Sequence, residues 1–330
     1  MASDQSRVCV ITPAYNVGPW IGEAIDSVLA QTEPRFRHVV VDDGSTDDTA
    51  DVVARKAAAD PRVELVRTSN GGSAAARNAG LAAAKSDYVA FLDGDDRWHP
   101  DFLRVSLNAL QAAPANVGAT FVHSRVMLEN GRTVGLRWQP AGFVDMDAML
   151  SANCPPHNGS SLVLRRSCFD EVGDFDTTVP SSTDFEMWLR IGARSTTPTF
   201  IGVRRYLVDM RLMRTGSISS NRAARFDALD GIISTYTPLM RRQHPGQAWV
   251  RPAVFAYRDG FDGYGDRWAA RARATGTATL ARDAWGRSLL AWSGAGPEGR
   301  ARMRAVRDGA RAGVYKGIAA AASAVRAARA

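Results

Sequence analysis

The 330-residue chain is 45% apolar and 23% charged, with three cysteines and a formal net charge of +7. That balance supports a sizeable core and about two domains, and it excludes a disordered, collagen-like or disulfide-stapled chain. Cys9, Cys154 and Cys168 have no CxxC spacing, no basic segment followed by an apolar run opens the sequence, and no uninterrupted apolar stretch reaches about 18 residues, so a reducing, cytoplasmic setting is expected.

Residues 8–12 are a short apolar run that Pro13 closes, because proline cannot donate to a strand ladder. Trp20, Ile21, Ala24, Ile25, Val28 and Leu29 recur at helical spacing over 18–31. FRHVVV at 36–41 reads as a strand ended by Asp42-Asp43-Gly44, and Ser45 or Asp47 can cap a helix over 47–59. Val63–Val66 is a third strand, Asn70-Gly71-Gly72 a turn, and 73–85 an alanine-rich helix. YVAFL at 88–92 is a fourth strand running into Asp93-Gly94-Asp95-Asp96. Beyond 115 the alternation loosens, with strands expected at 117–123, 132–138 and 159–164, helices at 183–193 and 222–243, and a helical, Ala- and Arg-rich remainder from 247.

Unbroken apolar strands alternating with helices predict an α/β fold with a mostly parallel sheet covered on both faces. Such sheets bind ligands beyond the carboxyl ends of their strands. The polar clusters fall there: Thr12–Asn16 after the first strand, Asp42–Ser45 after the second, Asp93–Asp96 after the fourth.

Asp93-x-Asp95 places two carboxylates on one short loop, the oxygen chemistry that hard cations such as Mg²⁺ or Mn²⁺ accept. A solvated turn with helix-capping acids is the plainer alternative. Asp43 can read a base or ribose, or cap a helix. Gly71-Gly72 with Arg77-Asn78 offers close backbone approach and a guanidinium for phosphate or sugar oxygens. Asp184 and Trp188 share one face near the start of a helix, where a carboxylate is favoured and can act as a base; an N-cap role is the bland reading. His123 and His157 read as core or surface residues, and the cysteines as small core residues. No GxGxxG follows the first strand and no GxxxxGK[ST] occurs, against a dinucleotide dehydrogenase or a P-loop NTPase.

VITPAYN, VVVDDGSTDDT, NGG…ARNAG, YVAFLDGDD and GDFD…TDFEMWLRI, in this order over roughly residues 7–220, resemble an inverting family 2 glycosyltransferase of the GT-A fold. The resemblance implies a Rossmann-like, mostly parallel sheet flanked by helices, with a C-terminal helical extension. It implies a nucleotide-diphosphate sugar donor, foremost a UDP-sugar, a hydroxyl acceptor (glycan, lipid-linked or small molecule) and Mn²⁺ or Mg²⁺. Carried over, Pro13, Tyr15 and Asp43 line the nucleotide pocket, Arg77 sits near the diphosphate or sugar, and Gly94 lies in the donor loop. Asp93 and Asp95 form the metal-binding pair, and Asp184 is the general base. Residues 1–115 would form the nucleotide-sugar half and 116–220 the acceptor and base half. The family's YRxHxGS-like segment corresponds to Met210–Ser217, which lacks the histidine; Arg211 or Arg214 then become candidates to meet the diphosphate directly. A non-catalytic binding module of the same fold and a sugar-phosphate nucleotidyltransferase are the competing readings, the latter weakened because TPAYNVGPW carries no glycine-rich basic loop.

Residues 241–330 hold 17 Lys and Arg against 6 Asp and Glu, whereas the preceding 240 hold 24 against 28. Nucleic acid is not the expected partner, since no aromatic interleaving accompanies the basic residues and the strand-end acids would go unexplained. Met303, Val306, Ala310, Val314, Ile318, Ala321 and Val325 form one helical stripe, with Arg300, Arg304, Arg307, Arg311 and Arg329 largely outside it. Such a basic amphipathic helix suits peripheral contact with the inner face of a membrane; self-association or internal packing through 221–330 is the other reading.

Overall fold

In the computed structural model, residues 6–137, 139–151, 159–194, 199–212, 222–241, 245–276, 280–282 and 284–308 are described. The chain divides into two compact units, Met1–Leu150 with Cys154–Leu239, and Ser151–Asn153 with Met240–Ala330.

The first unit opens as β1 (Val8–Ala14), α1 (Gly18–Leu29), β2 (Phe36–Asp42), α2 (Thr49–Ala59), β3 (Val63–Arg67), α3 (Gly72–Ala83) and β4 (Tyr88–Phe91). All four strands run parallel, in the order β3-β2-β1-β4. Each is apolar because helices cover both faces: Val8, Val10 and Ile11 of β1 are inaccessible, as are Ile21, Ala24, Ile25 and Val28 of α1. The chain goes from β1 outward to β2 and β3, then returns to place β4 on the opposite side of β1. That reversal opens a crevice at the carboxyl ends of β1 and β4, where open α/β sheets bind ligands.

The second part is mixed. After β5 (Arg97–Trp98) and α4 (Phe102–Ala112) come β6 (Ala119–Leu128), β7 (Thr133–Arg137), β8 (Gly142–Val144) and α5 (Met146–Ser151). Next are β9 (Leu162–Arg165), α6 (Ser167–Val172), α7 (Thr183–Ala193), β10 (Phe200–Leu212) and α8 (Arg222–Tyr236). The sheet continues from β4 as β9-β6-β10-β5, with β9 antiparallel to both neighbours and β6 parallel to β10. The strand expected at 159–164 begins with a 3₁₀ turn, Gly159–Ser161, before β9. The helix expected over 222–243 ends at Tyr236. Neither Ser45 nor Asp47 is the N-cap of α2, which is Asp48 and makes no side-chain cap hydrogen bond; Asp47, one residue earlier, accepts from the Thr49 amide at 3.0 Å. Cys9 and Cys168 are buried, and burial pushes their thiols up to about 12 and about 11; Cys154 and His157 lie outside the described residues.

The second unit has α9 (Val250–Asp259), α10 (Asp262–Arg273), a helix Ala284–Gly294, and one over 297–308. Trp249, Tyr257, Trp268 and Trp292 are buried. The last helix corrects the sequence pattern. Arg300 is buried over the Tyr257 ring and pairs with Asp262 and Asp266, Arg304 pairs with Asp262, and Arg307 donates to the Arg258 carbonyl. Val306, in the apolar stripe, is 74% exposed. The acids of α10 draw the arginine face inward. Residues 309–330, which carry most of that stripe, lie outside the described residues. Among the described residues no helix is long and apolar enough to cross a membrane.

Gly80 on α3 touches β1 so closely that a Cβ there would overlap Ile11 Cγ2. Replacing a mid-helix glycine by alanine ordinarily gains up to about 1 kcal/mol, while overpacking costs about 1–3 kcal/mol. Gly80→Ala is therefore expected to lower stability by about 1 kcal/mol net, read from the denaturant midpoint. A rise in that midpoint would refute the close α3–β1 packing.

Candidate active site

The site is assembled on loops at the carboxyl ends of the strands. The loop after β1 is tied to that after β2: Asn16, at φ 52°, accepts from the Thr46 amide at 2.8 Å and donates its own amide to Ser45 Oγ at 3.0 Å. Pro13 is half-buried at the end of β1, and Tyr15 beyond it is 48% exposed, an aromatic face open to solvent. Asp43 is buried. Its amide donates to the Ala14 carbonyl at 2.8 Å, and its carboxylate accepts from the amides of Gly71 at 2.9 Å and Gly72 at 2.8 Å and from Thr68 Oγ1 at 3.2 Å. Asp43 thus fixes the turn that starts α3. Gly72 has φ 84°, a conformation that favours glycine.

Two adjacent residues of α3 act in different directions. Asn78 brackets Phe175 of the GDFD segment, donating to its carbonyl at 2.9 Å and accepting its amide at 2.8 Å. Phe175 packs edge-on against Phe91 and Trp188. Arg77 is buried over the Phe175 ring and pairs with Asp93 Oδ1 at 2.9 Å. Among the described residues its Nε has no hydrogen-bond partner.

Asp93–Asp96 forms a tight turn in which the Asp96 amide donates to the Asp93 carbonyl at 3.0 Å. A Cβ on Gly94 would stand 2.9 Å from Val17 Cγ2 and 3.2 Å from Ile21 Cδ1, so glycine lets the turn lie against the loop after β1 without displacing those side chains. Ser160, in the 3₁₀ turn before β9, accepts from the Asp93 amide at 3.0 Å and donates to Asp96 Oδ2 at 2.7 Å. Burial and the Asp93 charge push the Asp95 carboxyl up to about 6, and burial with both neighbouring acids raises Asp96 further.

Ser182, at φ 60°, turns the chain into α7, where Asp184 lies in the first turn and Trp188 is fully buried. A left-handed serine persists only where its surroundings fix it. Burial raises the Asp184 carboxyl; Arg77 opposes the shift and Asp93 adds to it. Arg77 thus links electrostatically two acids from distant parts of the chain.

Arg211 does not face the crevice. It is buried on β10, and its guanidinium is taken up by the Asp95 carbonyl, the Glu129 carbonyl and Glu23, so the expectation that it meets a diphosphate is not met. Arg214 lies outside the described residues. His123 is buried, its Nδ1 accepting from the Gln139 amide at 3.0 Å. Sequence reasoning overlooked Ser160 and Glu23, because neither has a local pattern that singles it out.

Among the described residues no group of three or more His, Cys, Asp or Glu is arranged to hold a metal ion. Asp93 and Asp95 nonetheless fit a hard cation: they supply oxygen donors, and their mutual repulsion, visible in the raised Asp95 carboxyl, is what a cation would relieve.

A family model described as "Glycosyl transferase family 2" matches residues 9–173. The chain is 44% identical over 108 residues, 32% of its length, to the putative teichuronic acid biosynthesis glycosyltransferase TuaG of Bacillus subtilis (strain 168). That match spans 43% of the relative's own length. S. aureus TarS 1-349 in complex with UDP-GlcNAc is similar in fold, with TM-score 0.57 and 16% identity, covering 87% of this chain and 90% of that one. The mannosyltransferase PcManGT from Pyrobaculum calidifontis in complex with GDP-Man and Mn²⁺ gives TM-score 0.58 and 21% identity, covering 87% and 86%.

The Asp43 carboxylate makes a checkable claim about the glycine turn. Hydrogen bonds to a charged acceptor contribute about 1.5–3 kcal/mol. In Asp43→Ala, hydrogen exchange at the Gly71 and Gly72 amides is expected to accelerate by about tenfold or more. Exchange matching wild type at both amides would show that another group holds the turn.

Proposed function

Because the chain belongs to glycosyl transferase family 2, whose model matches half of it, we propose that it transfers a glycosyl group from a nucleotide-diphosphate sugar, foremost a UDP-sugar, to an acceptor hydroxyl with inversion at the anomeric carbon. The observation that carries the reading is the convergence of Asp93 and Asp184 on Arg77 at one end of the sheet, with Asp95 in the same turn as Asp93. Asp184 lies outside the matched region, so its arrival beside the Asp93 turn is an independent feature of the fold. The UDP-GlcNAc and GDP-Man complexes of the two structural neighbours support the donor class.

In this reading residues 1–115 supply the donor contacts and 116–220 the base. Pro13 and Tyr15 wall the nucleotide side of the crevice, with Asp43 holding the turn that leads to Arg77. Asp184 takes the proton of the acceptor hydroxyl as its oxygen bonds to the anomeric carbon. The bond from that carbon to the diphosphate breaks, and the nucleoside diphosphate departs with the electron pair. Arg77 offers positive charge to the departing oxygens. Asp93 and Asp95 would hold Mn²⁺ or Mg²⁺, whose chemistry there is to neutralise the diphosphate. The glycine at 94 lets the donor loop approach without a side chain intervening. A purely binding role for the same crevice would leave the raised Asp184 carboxyl serving only the Phe185 amide, from which it accepts at 2.8 Å.

Three measurements test the reading. With a panel of nucleotide sugars and hydroxyl acceptors, Asp95→Ala is expected to abolish nucleotide release; near wild-type turnover at saturating donor would sink the cation assignment. Asp184→Asn keeps the shape and removes the basicity, so transfer should fall by about two to four decades with donor binding retained. An unchanged rate would reduce Asp184 to a helix cap. Since burial raises the Asp184 carboxyl, wild-type transfer should lose rate on the acid side at a pH above the ordinary carboxylate range, and this limb should vanish in Asp184→Asn.

A further inference from the structure

The Asp93–Asp96 turn carries three acids in four residues, and two of them are strongly desolvated. Four contacts made by two residues fix its shape from outside. Ser160 contributes two, to the Asp93 amide and to Asp96 Oδ2. Arg211 contributes the other two: its amide donates to Asp96 Oδ1 at 2.8 Å, and its Nε donates to the Asp95 carbonyl at 2.9 Å. Its remaining nitrogens donate to the Glu129 carbonyl at 2.6 Å and to Glu23 Oε2 at 2.9 Å. The ring of Trp20 lies 5.9 Å from the guanidinium carbon.

The Arg211 side chain is 1% exposed, whereas Glu23 on α1 is half exposed. Glu23 also receives Arg97, the residue immediately after the turn, at 3.2 Å, and Arg97 reaches Asp209 on β10 at 3.4 Å. A chain of alternating charges therefore runs from the surface, through Glu23, to the main chain of Asp95. A guanidinium meets these three acceptors from three separate nitrogens held in one rigid plane, whereas an ammonium presents all its donors from a single nitrogen at the end of a flexible stem and cannot span them.

We propose that Arg211 is a positioning residue for the Asp93–Asp96 turn, held in place by Glu23, and that this pair sets the affinity of the turn for a divalent cation. The inference rests on the reading of Asp93 and Asp95 as the cation-binding pair. Arg211 does not touch the ion or the donor. It fixes the carbonyl of Asp95 and the carboxylate of Asp96, and so the direction in which the Asp95 side chain leaves the turn. A cation held by two carboxylates of one turn is sensitive to that direction, and residues behind metal ligands typically change metal affinity by about 10–100-fold when altered.

The test is Mn²⁺ binding, followed through the electron paramagnetic resonance signal of the free ion, with UDP and separately with GDP present. Wild type, Glu23→Gln, Arg211→Lys, the double variant and Asp95→Asn are compared as full chains, with thermal midpoints recorded in parallel. The dissociation constant is expected to rise by about tenfold or more in Arg211→Lys, and in the same direction but less in Glu23→Gln. The double variant should bind no more weakly than Arg211→Lys alone, because Glu23 acts through Arg211. Raising Mn²⁺ should restore transfer in Glu23→Gln, a rescue that general destabilisation would not give. If Arg211→Lys fails to fold, Glu23→Gln decides alone, since Glu23 is half exposed. Wild-type affinity in Glu23→Gln and in any folded Arg211→Lys, with binding lost in Asp95→Asn, would overturn the inference and leave the cation reading standing. No binding by wild type, or undiminished binding by Asp95→Asn, would overturn the cation reading and the inference with it.

Discussion

Three carboxylates on a four-residue turn repel one another, and this turn is partly buried. Two like charges about 4 Å apart cost about 4 kcal/mol at an effective dielectric constant of about 20, more than an exposed ion pair contributes, which is about 0–1 kcal/mol. Surface lysines cannot offset that. The chain meets it with two buried arginines brought from opposite ends of the first unit: Arg77 from α3, on Asp93, and Arg211 from β10, on the main chain of Asp95. Much of the surrounding architecture delivers those two side chains. Asp43 fixes the turn that launches α3, and Asn78 fastens the helix to the GDFD segment.

The sheet explains why the second half of the unit is needed. Parallel strands β1 to β4 create the crevice, but they do not by themselves hold the Asp93–Asp96 turn in place. Behind the turn, support comes from β9 and β10, more than 60 residues later in the chain. β9 enters antiparallel between β4 and β6, which sets Ser160 beneath Asp93 and Asp96. β10 pairs with β5 directly after the turn, through Val208 with Trp98 and Asp209 with Arg97, which brings Arg211 alongside. The Trp98 indole donates to the Ser160 carbonyl at 2.7 Å, closing the frame. The acids come from a local motif; their geometry comes from long-range pairing.

That division marks what could be read from the residues. Strands 8–12, 36–41, 63–66 and 88–92 and their helices were legible, because burial on both faces leaves unbroken apolar runs and the polar clusters fall where the runs stop. The helix that carries Asp184 forms as α7, with Asp184 in its first turn, and was legible in TDFEMWLRI. The insertion of β9 was not, because strand pairing across some 70 residues leaves no local signature. The helix α4 was missed although Phe102, Leu103, Leu107 and Leu110 form a buried stripe; the signal was present in DFLRVSLNALQAA. Arg211 turns to the reverse of the Asp93–Asp96 turn, away from the diphosphate contact that its place in Met210–Ser217 suggests. A sequence motif fixes the residue type, and whether its guanidinium faces solvent or the reverse of a turn depends on which acceptors the fold presents.

The helix over 297–308 makes the same point about charge. Its arginines fall outside the apolar stripe, and a pattern argument turns them to solvent. Yet Arg300 is buried between two aspartates and the ring of Tyr257. Elsewhere in this unit Arg267 lies over Tyr264 and Arg271 over Trp249. Of the 41 basic residues in the chain only three are lysine. A guanidinium stacks on aromatic rings and serves several acceptors at once, and it is less strongly hydrated than an ammonium. Arginine in this chain therefore acts as an interior tie in both units. Among the described residues of 241–330 part of the positive charge is already engaged in such ties, so a basic count translates into attraction for an anionic surface only for those arginines whose forks are not already filled.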